Sequence, residues 1–314
     1  MSLMDHLLTL YRVDSQVRAL RTRVEAGERD VQAQAKLLAG LQRQESELAS
    51  QARQLQATIH NLAFMLAGYV NEDHPWIDHL LRDALATRIV ENFTGYQEGT
   101  EDAVFKQVYS IWNVLQQRGI TYSDISRVST RIDTVPSQHV RFLDESIEMK
   151  QANCVDGSVL VASALRKIGI EVFLFVTPNH CYIGFFTDPR REHMVGLETT
   201  LLGKADKGTF EKTKGLRALL DDEKTFDEAS FESFEAALGV GTKNLEADTG
   251  KMLGGEFRYM QVIVSEARKQ GIRAIPYFPP EKPLALPDLA PAPSAKEEVK
   301  NDVRDQLEKL KINK

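Results

Sequence analysis

Cysteine is nearly missing from this chain: Cys154 and Cys181 are the two in 314 residues. So few exclude a disulfide framework and fit a reducing compartment, so the expected location is cytoplasmic. Long apolar runs are missing as well. None approaches the roughly 20 residues that a bilayer-spanning helix needs, so no membrane span is expected. Nor is there a surplus of positive charge. The formal net charge is −6, which gives no support for binding nucleic acid through its phosphates. The opening MSLMDHLLTLYRVDS lacks a basic leader and a small-residue cleavage site, so no secretory signal is expected. His74 and His79 have no third ligand nearby, so no metal and no cofactor are expected.

What the chain does have, first, is a heptad pattern over residues 10–62. Positions a are Leu10, Val17, Val24, Val31, Leu38, Glu45, Ala52 and Ile59. Positions d are Val13, Leu20, Gly27, Gln34, Leu41, Leu48, Leu55 and Leu62. No proline interrupts them. The pattern predicts a coiled coil on the order of 80 Å long. A lone helix of that length cannot bury its seam, so self-association is the first expectation, with folding back near Gly27 or a single helix lying on the globular domain as the alternatives. Gln34 and Glu45 break the seam, and polar core residues of this kind fix register at a cost in stability.

Turn residues near AGYVNEDHP end the heptads. This divides the chain into an oligomerisation segment (residues 1–66), a globular domain (67–279) and a proline- and alanine-rich linker with a charged tail (280–314). In the globular part, residues 76–91 and 101–118 carry apolar residues at helical spacing. Residues 203–250 read as irregular, with a short helix around Phe231, Phe234 and Leu238. They are expected to be an insertion that covers the cleft or, as the more common case, a peripheral packing element. Arg141 and Glu145, four apart, are expected to pair on a short helix.

The chemistry concentrates in residues 153–200. Val155, Val159, Ala162, Leu165 and Ile168 form a helical stripe, and Gly169 stops it. Residues 171–177, 180–187 and 194–199 read as three strands with antiparallel pairing. Cys154 therefore stands at a helix N-terminus, where main-chain N–H groups and the helix dipole favour a thiolate. His180 opens the middle strand and Glu198 ends the next. A thiol, an imidazole and a carboxylate on one face are the parts of a nucleophile, a base and its orienter. Asp156, in the helix's first turn, is expected to cap it. By strand alternation Tyr182 shares the face of His180, and Cys181 points the other way as a buried apolar residue. His193, the rival base, is expected to be solvent-exposed.

These pieces carry a resemblance. NCVDGSVLVASALRKIGI, PNHCYIGFF, GLETT and the upstream SQHVRFLDESI resemble the bacterial branch of the transglutaminase-like superfamily, a papain-like cysteine fold. The resemblance implies an α+β domain over residues 67–279, with a nucleophile helix packed on an antiparallel sheet. It places Cys154, His180 and Glu198 at the triad positions, with glutamate where many members have aspartate. In papain-like folds a side-chain donor joins the nucleophile's own N–H in an oxyanion hole. Gln138 is the candidate for that donor.

The expected function is cysteine-dependent acyl transfer on peptide or side-chain amides. With water as acceptor the enzyme is a peptidase or amidase, and with an amine it is a transglutaminase. The alternative is a non-catalytic peptide- or protein-binding module multimerised by the coiled coil.

Overall fold

The computed structural model describes residues 3–123, 127–128, 137–138, 140–204, 206–220 and 227–278. It divides into two units, Met1–Asn61 and Leu62–Lys314. The linker and tail expected over residues 280–314 lie outside the described residues, as does most of the connection over residues 124–136.

The first unit is helical throughout its described length. Its helix, α1, runs Leu3–Met65 and so ends inside the second unit. Leu10, Val17, Leu20, Val24, Val31, Leu38, Leu41, Leu48 and Leu55 all stand between 40% and 66% exposed in the single chain. These apolar seam positions are bare in the single chain.

The second unit mixes helix and sheet. Its helices are α2 (Pro75–Ala86), α3 (Glu101–Gln117), α4 (Leu143–Met149), α5 (Cys154–Lys167), α6 (Lys214–Leu219), α7 (Glu228–Leu253) and α8 (Val264–Lys269). Two-residue strands β1 (Thr121–Tyr122), β2 (Arg127–Val128), β3 (Ser137–Gln138) and β4 (Gln151–Ala152) pair as β1 with β4 and β2 with β3. The main sheet is β5 (Val172–Val176), β6 (Cys181–Phe186), β7 (Met194–Leu197) and β8 (Met260–Ile263), in the order β7-β6-β5-β8 and antiparallel throughout.

The sheet is apolar on both faces because both are covered. Val172, Leu174, Ile183, Phe185, Val195 and Leu197 join the main core, to which α5 contributes Val159, Leu160, Ala162 and Leu165. Phe173, Phe175, Tyr182 and Phe186 point the other way and pack with Leu245 of α7. This explains why β5 and β6 read as unbroken apolar runs rather than alternating ones.

Residues 203–250 depart from expectation. They hold most of α7, a 26-residue helix that runs on to Leu253, and it is central rather than peripheral. It runs directly against β7: a Cβ on Gly196 would lie 2.1 Å from the Gly241 carbonyl oxygen. Only two glycines permit that approach. Asp227 opens α7 by accepting the Ser230 N–H. The expected Arg141–Glu145 pair also fails. Arg141 binds Asp156 instead, and Glu145 accepts the Phe142 N–H at the start of α4. The buried Asp156 carboxylate outcompetes the half-buried Glu145 for the guanidinium, because less water screens it there.

Candidate active site

The local sequence builds a closed cap before α5. Asn153 Oδ1 accepts the N–H groups of Val155 and Asp156 at 2.8 and 2.9 Å. Asp156 Oδ2 in return accepts the Asn153 N–H at 3.1 Å. Together they satisfy three helix-end donors. Cys154 is the first residue of the helix and stays partly exposed.

Small residues then press this first turn against the strands. Ser158 Oγ donates to the Cys154 carbonyl at 2.6 Å and lies 3.3 Å from both the Cys181 carbonyl and Thr199 Oγ1. A Cβ on Gly157 would stand 3.2 Å from Thr199 Oγ1. The helix start thus sits where β6 begins and β7 has just ended.

The structure brings Cys154, His180 and Glu198 together. The His180 ring hydrogen-bonds the Cys154 side chain, and its Nε2 lies 2.7 Å from Glu198 Oε2. Glu198 is 4% exposed and has little freedom. Its Oε1 accepts the Thr200 N–H and hydroxyl at 3.1 and 2.7 Å. Asn244 Nδ2 of α7 approaches Oε2 at 3.5 Å, and the Glu198 N–H donates to the Ala237 carbonyl of α7. The glutamate is therefore clamped by its own turn and by a helix distant in sequence.

The electrostatics follow from this geometry. Burial works against a charged His180 ring, but hydrogen bonds and charge from Cys154 and Glu198 outweigh it and push its pKa up to about 10. Burial also works against an ionised Glu198. The bond and charge from His180, then the Thr200 donors, overcome it and hold the carboxyl below its ordinary value. The imidazole lies between the Cys154 side chain and the Glu198 carboxylate, and both favour its charged form.

The remaining sequence candidates separate. Cys181 is buried, and burial, with the charge of Cys154, pushes its thiol up to about 12. His193 is exposed, with Nδ1 3.4 Å from Asp188. The Tyr182 ring lies 5.9 Å from the His180 ring, and its hydroxyl donates to Asp248 of α7. The backbone of Gln138 pairs with Arg127, while its side chain lies outside the described residues, as does His139. Among the described residues no group of three or more His, Cys, Asp or Glu side chains is placed to hold a metal ion, and no helix is long and apolar enough to cross a membrane.

Sequence reasoning missed three contributors: Asn153, Thr200 and Asn244. Asn153 was legible, since asparagine three residues before aspartate at a helix start is a capping pattern. Thr200 and Asn244 reach Glu198 only through the fold. No protein-family model matches this chain, and no curated protein or solved structure does either.

Proposed function

We propose that the second unit is a papain-like, transglutaminase-like acyl-transfer enzyme with Cys154 as nucleophile, His180 as proton carrier and Glu198 as orienter. The observation that carries this reading is the contact chain itself. A partly exposed thiol at a helix start touches an imidazole whose other partner is a buried carboxylate 2.7 Å away.

The chemistry follows in two halves. The Cys154 thiolate adds to an amide carbonyl carbon, and the carbonyl oxygen takes up the negative charge. His180 gives its proton to the amide nitrogen, the C–N bond breaks, and a free amine leaves behind a thioester on Cys154. The neutral imidazole then removes a proton from the incoming acceptor, which attacks the thioester carbonyl. The C–S bond breaks, and the thiolate–imidazolium pair returns. Glu198 keeps the ring oriented and stabilises its charged form throughout. Water is the default acceptor at a partly exposed thiol, which favours hydrolysis of peptide or side-chain amides.

We further infer that α1 assembles copies of the chain. Its bare seam is the supporting observation.

The direct test is acylation of the intact protein by an activated ester, followed by peptide mapping. The expected adduct sits on Cys154 and disappears in His180→Ala. A Cys154 that stays unmodified while other nucleophiles react would leave only a binding module on a coiled coil.

A further inference from the structure

Four positions in the seam of α1 are not large and apolar: Gly27 and Gln34 at d, Glu45 and Ala52 at a. All four are exposed, on a helix that runs Leu3–Met65 without a break. Along the chain their order is small, polar, polar, small. One heptad separates Gly27 from Gln34, and one separates Glu45 from Ala52. The exceptions therefore mirror each other about the middle of the seam.

A seam of this kind is buried when side chains of one helix enter hollows on another. Val17, Leu20, Arg21 and Val24 wall such a hollow on α1, and residues at i, i+3, i+4 and i+7 are the four that receive one knob. What meets across the seam must match in polarity, because a charge set against an apolar or like-charged neighbour there is costly. Two copies in parallel register set each residue against itself, so Glu45 meets Glu45. Antiparallel copies set each a against a d, and the alignment slides one heptad at a time. One such alignment brings Glu45 to Gln34. A heptad to either side, Glu45 meets Gly27 or Leu41.

We propose that α1 pairs antiparallel with α1 of a second copy, with Glu45 of each facing Gln34 of the other. This rests on the reading that α1 assembles copies, and adds the direction and the register. The Gln34 amide donates to the facing Glu45 carboxylate, once in each half of the interface. The same alignment sets Ala52 against Gly27, Val24 against Leu55, Val31 against Leu48 and Leu38 against Leu41. Between residues 20 and 59, polar meets polar, small meets small and large meets large. The pairing is two-fold symmetric, as closed dimers are. The flanking positions agree with it. Arg21 and Glu28 lie opposite the glutamine-rich half, Gln42 to Gln56, so no like charges meet there. A parallel pair would gain an Arg23–Glu28 contact along its flank, but exposed ion pairs contribute little, and it would keep Glu45 against Glu45 in the seam.

The test introduces Val24→Cys and Leu55→Cys together into the full-length chain, with Cys154 and Cys181 replaced by Ser. The unaltered protein is sedimented first. The variant is then oxidised with copper phenanthroline, sized on a non-reducing gel and mapped by mass spectrometry. The expected product has dimer mass, and links from position 24 to position 55 exceed links from 24 to 24 by about 10-fold. Val31→Cys with Leu48→Cys is expected to give the same pattern, and stands in where the first pair disturbs the helix. Links from 24 to 24 and 55 to 55 at dimer mass overturn the direction and leave the assembly reading in place. Links from 24 to 55 at monomer mass overturn the second copy in favour of a chain folded back on itself. An oligomer in which neither pair links overturns the register. A monomeric unaltered protein removes the assembly reading, and this pairing with it.

Discussion

Asp156 accepts both the main-chain N–H and the guanidinium of Arg141, at 2.9 and 3.2 Å, across fifteen residues of chain. Both residues are buried. The same carboxylate closes the cap on Asn153, so one side chain ties the segment before α4 to the first turn of α5. Replacing Asp156 by Ala strands the Arg141 charge and opens the cap. The expected loss is about 3–5 kcal/mol. Arg141→Ala is expected to cost less, about 1–3 kcal/mol, because Asp156 keeps two main-chain donors. Urea unfolding followed by tryptophan fluorescence ranks the two, since Trp76 and Trp112 both lie in the second unit. Equal losses would mean the ion pair, not the cap, accounts for the effect.

The imidazole contact makes Cys154 and Cys181 chemically unlike. A free cysteine of pKa about 8.5 is well under 1% thiolate at pH 6. With His180 charged beside it, Cys154 is expected to react with iodoacetamide at pH 6 while Cys181, buried and pushed up to about 12, stays unmodified. His180→Ala is expected to slow Cys154 labelling at pH 6 by roughly 100-fold. Glu198→Gln removes the carboxylate that helps hold the ring charged, so its labelling profile moves to higher pH. Mass-spectrometric counting of adducts at each cysteine reads all three. Labelling of both cysteines at one rate would contradict the ion pair.

Folded-state pKa shifts also set a stability window. His180 is raised from 6.5 to about 10, so its contribution is fully present below pH 6.5 and is lost as pH climbs towards 10. Glu198 is lowered from 4.5, so its contribution is present above 4.5 and is lost as pH falls through the depressed value. Both act together between pH 4.5 and 6.5. The urea midpoint is expected to decline on the alkaline side of that window, and Glu198→Gln to flatten the acid limb. A midpoint that rises steadily from pH 6.5 to 10 would sink this account.

The residues differ in how far ahead of the fold they could be read. α5 and the strands β5 to β7 carry their own periodicity, so Cys154, His180 and Glu198 could be placed by local pattern alone. α7 could not. GVGTKNLEADTG is rich in glycine and small polar residues, which disfavour a helix on propensity. The helix forms because Gly196 and Gly241 let it press on β7, a gain invisible to a local window. Arg141 pairing with Asp156 rather than Glu145, and Asn244 meeting Glu198 across 46 residues, are non-local for the same reason.

That close approach yields its own prediction. A Cβ on Gly241 would lie 2.5 Å from the Gly196 carbonyl carbon and 2.7 Å from the Glu198 nitrogen. All of these are backbone atoms, which cannot rotate away. Gly241→Ala is expected to destabilise by about 1–3 kcal/mol or more through overpacking and to shift α7 away from the Glu198 clamp. Gly239, two residues earlier, is the control: its nearest neighbour is the Thr209 carbonyl oxygen at 3.5 Å, an ordinary contact. Gly239→Ala is expected to stabilise by roughly 0.5–1 kcal/mol through helix propensity. Opposite signs by urea unfolding are the required outcome.

The seam of α1 makes the last prediction. Leu20, Leu41 and Leu48 stand more than half exposed on a single chain, on a helix of 63 residues. Hydrophobic side chains repeating every 3.5 residues are stable in water only when a second helix covers them. Sedimentation of the whole protein is therefore expected to show an oligomer. Replacing Leu20 and Leu48 by Asp puts charges at two d positions that must be desolvated on pairing, which costs several kcal/mol and is expected to leave monomers. Circular dichroism at 222 nm should fall at the same time, because an isolated helix with an uncovered seam loses its main support. The core of the second unit shares neither residue, so iodoacetamide labelling of Cys154 should be unchanged. Monomers in the unaltered protein with full helicity would mean that α1 needs no partner, and the assembly reading would fall with it.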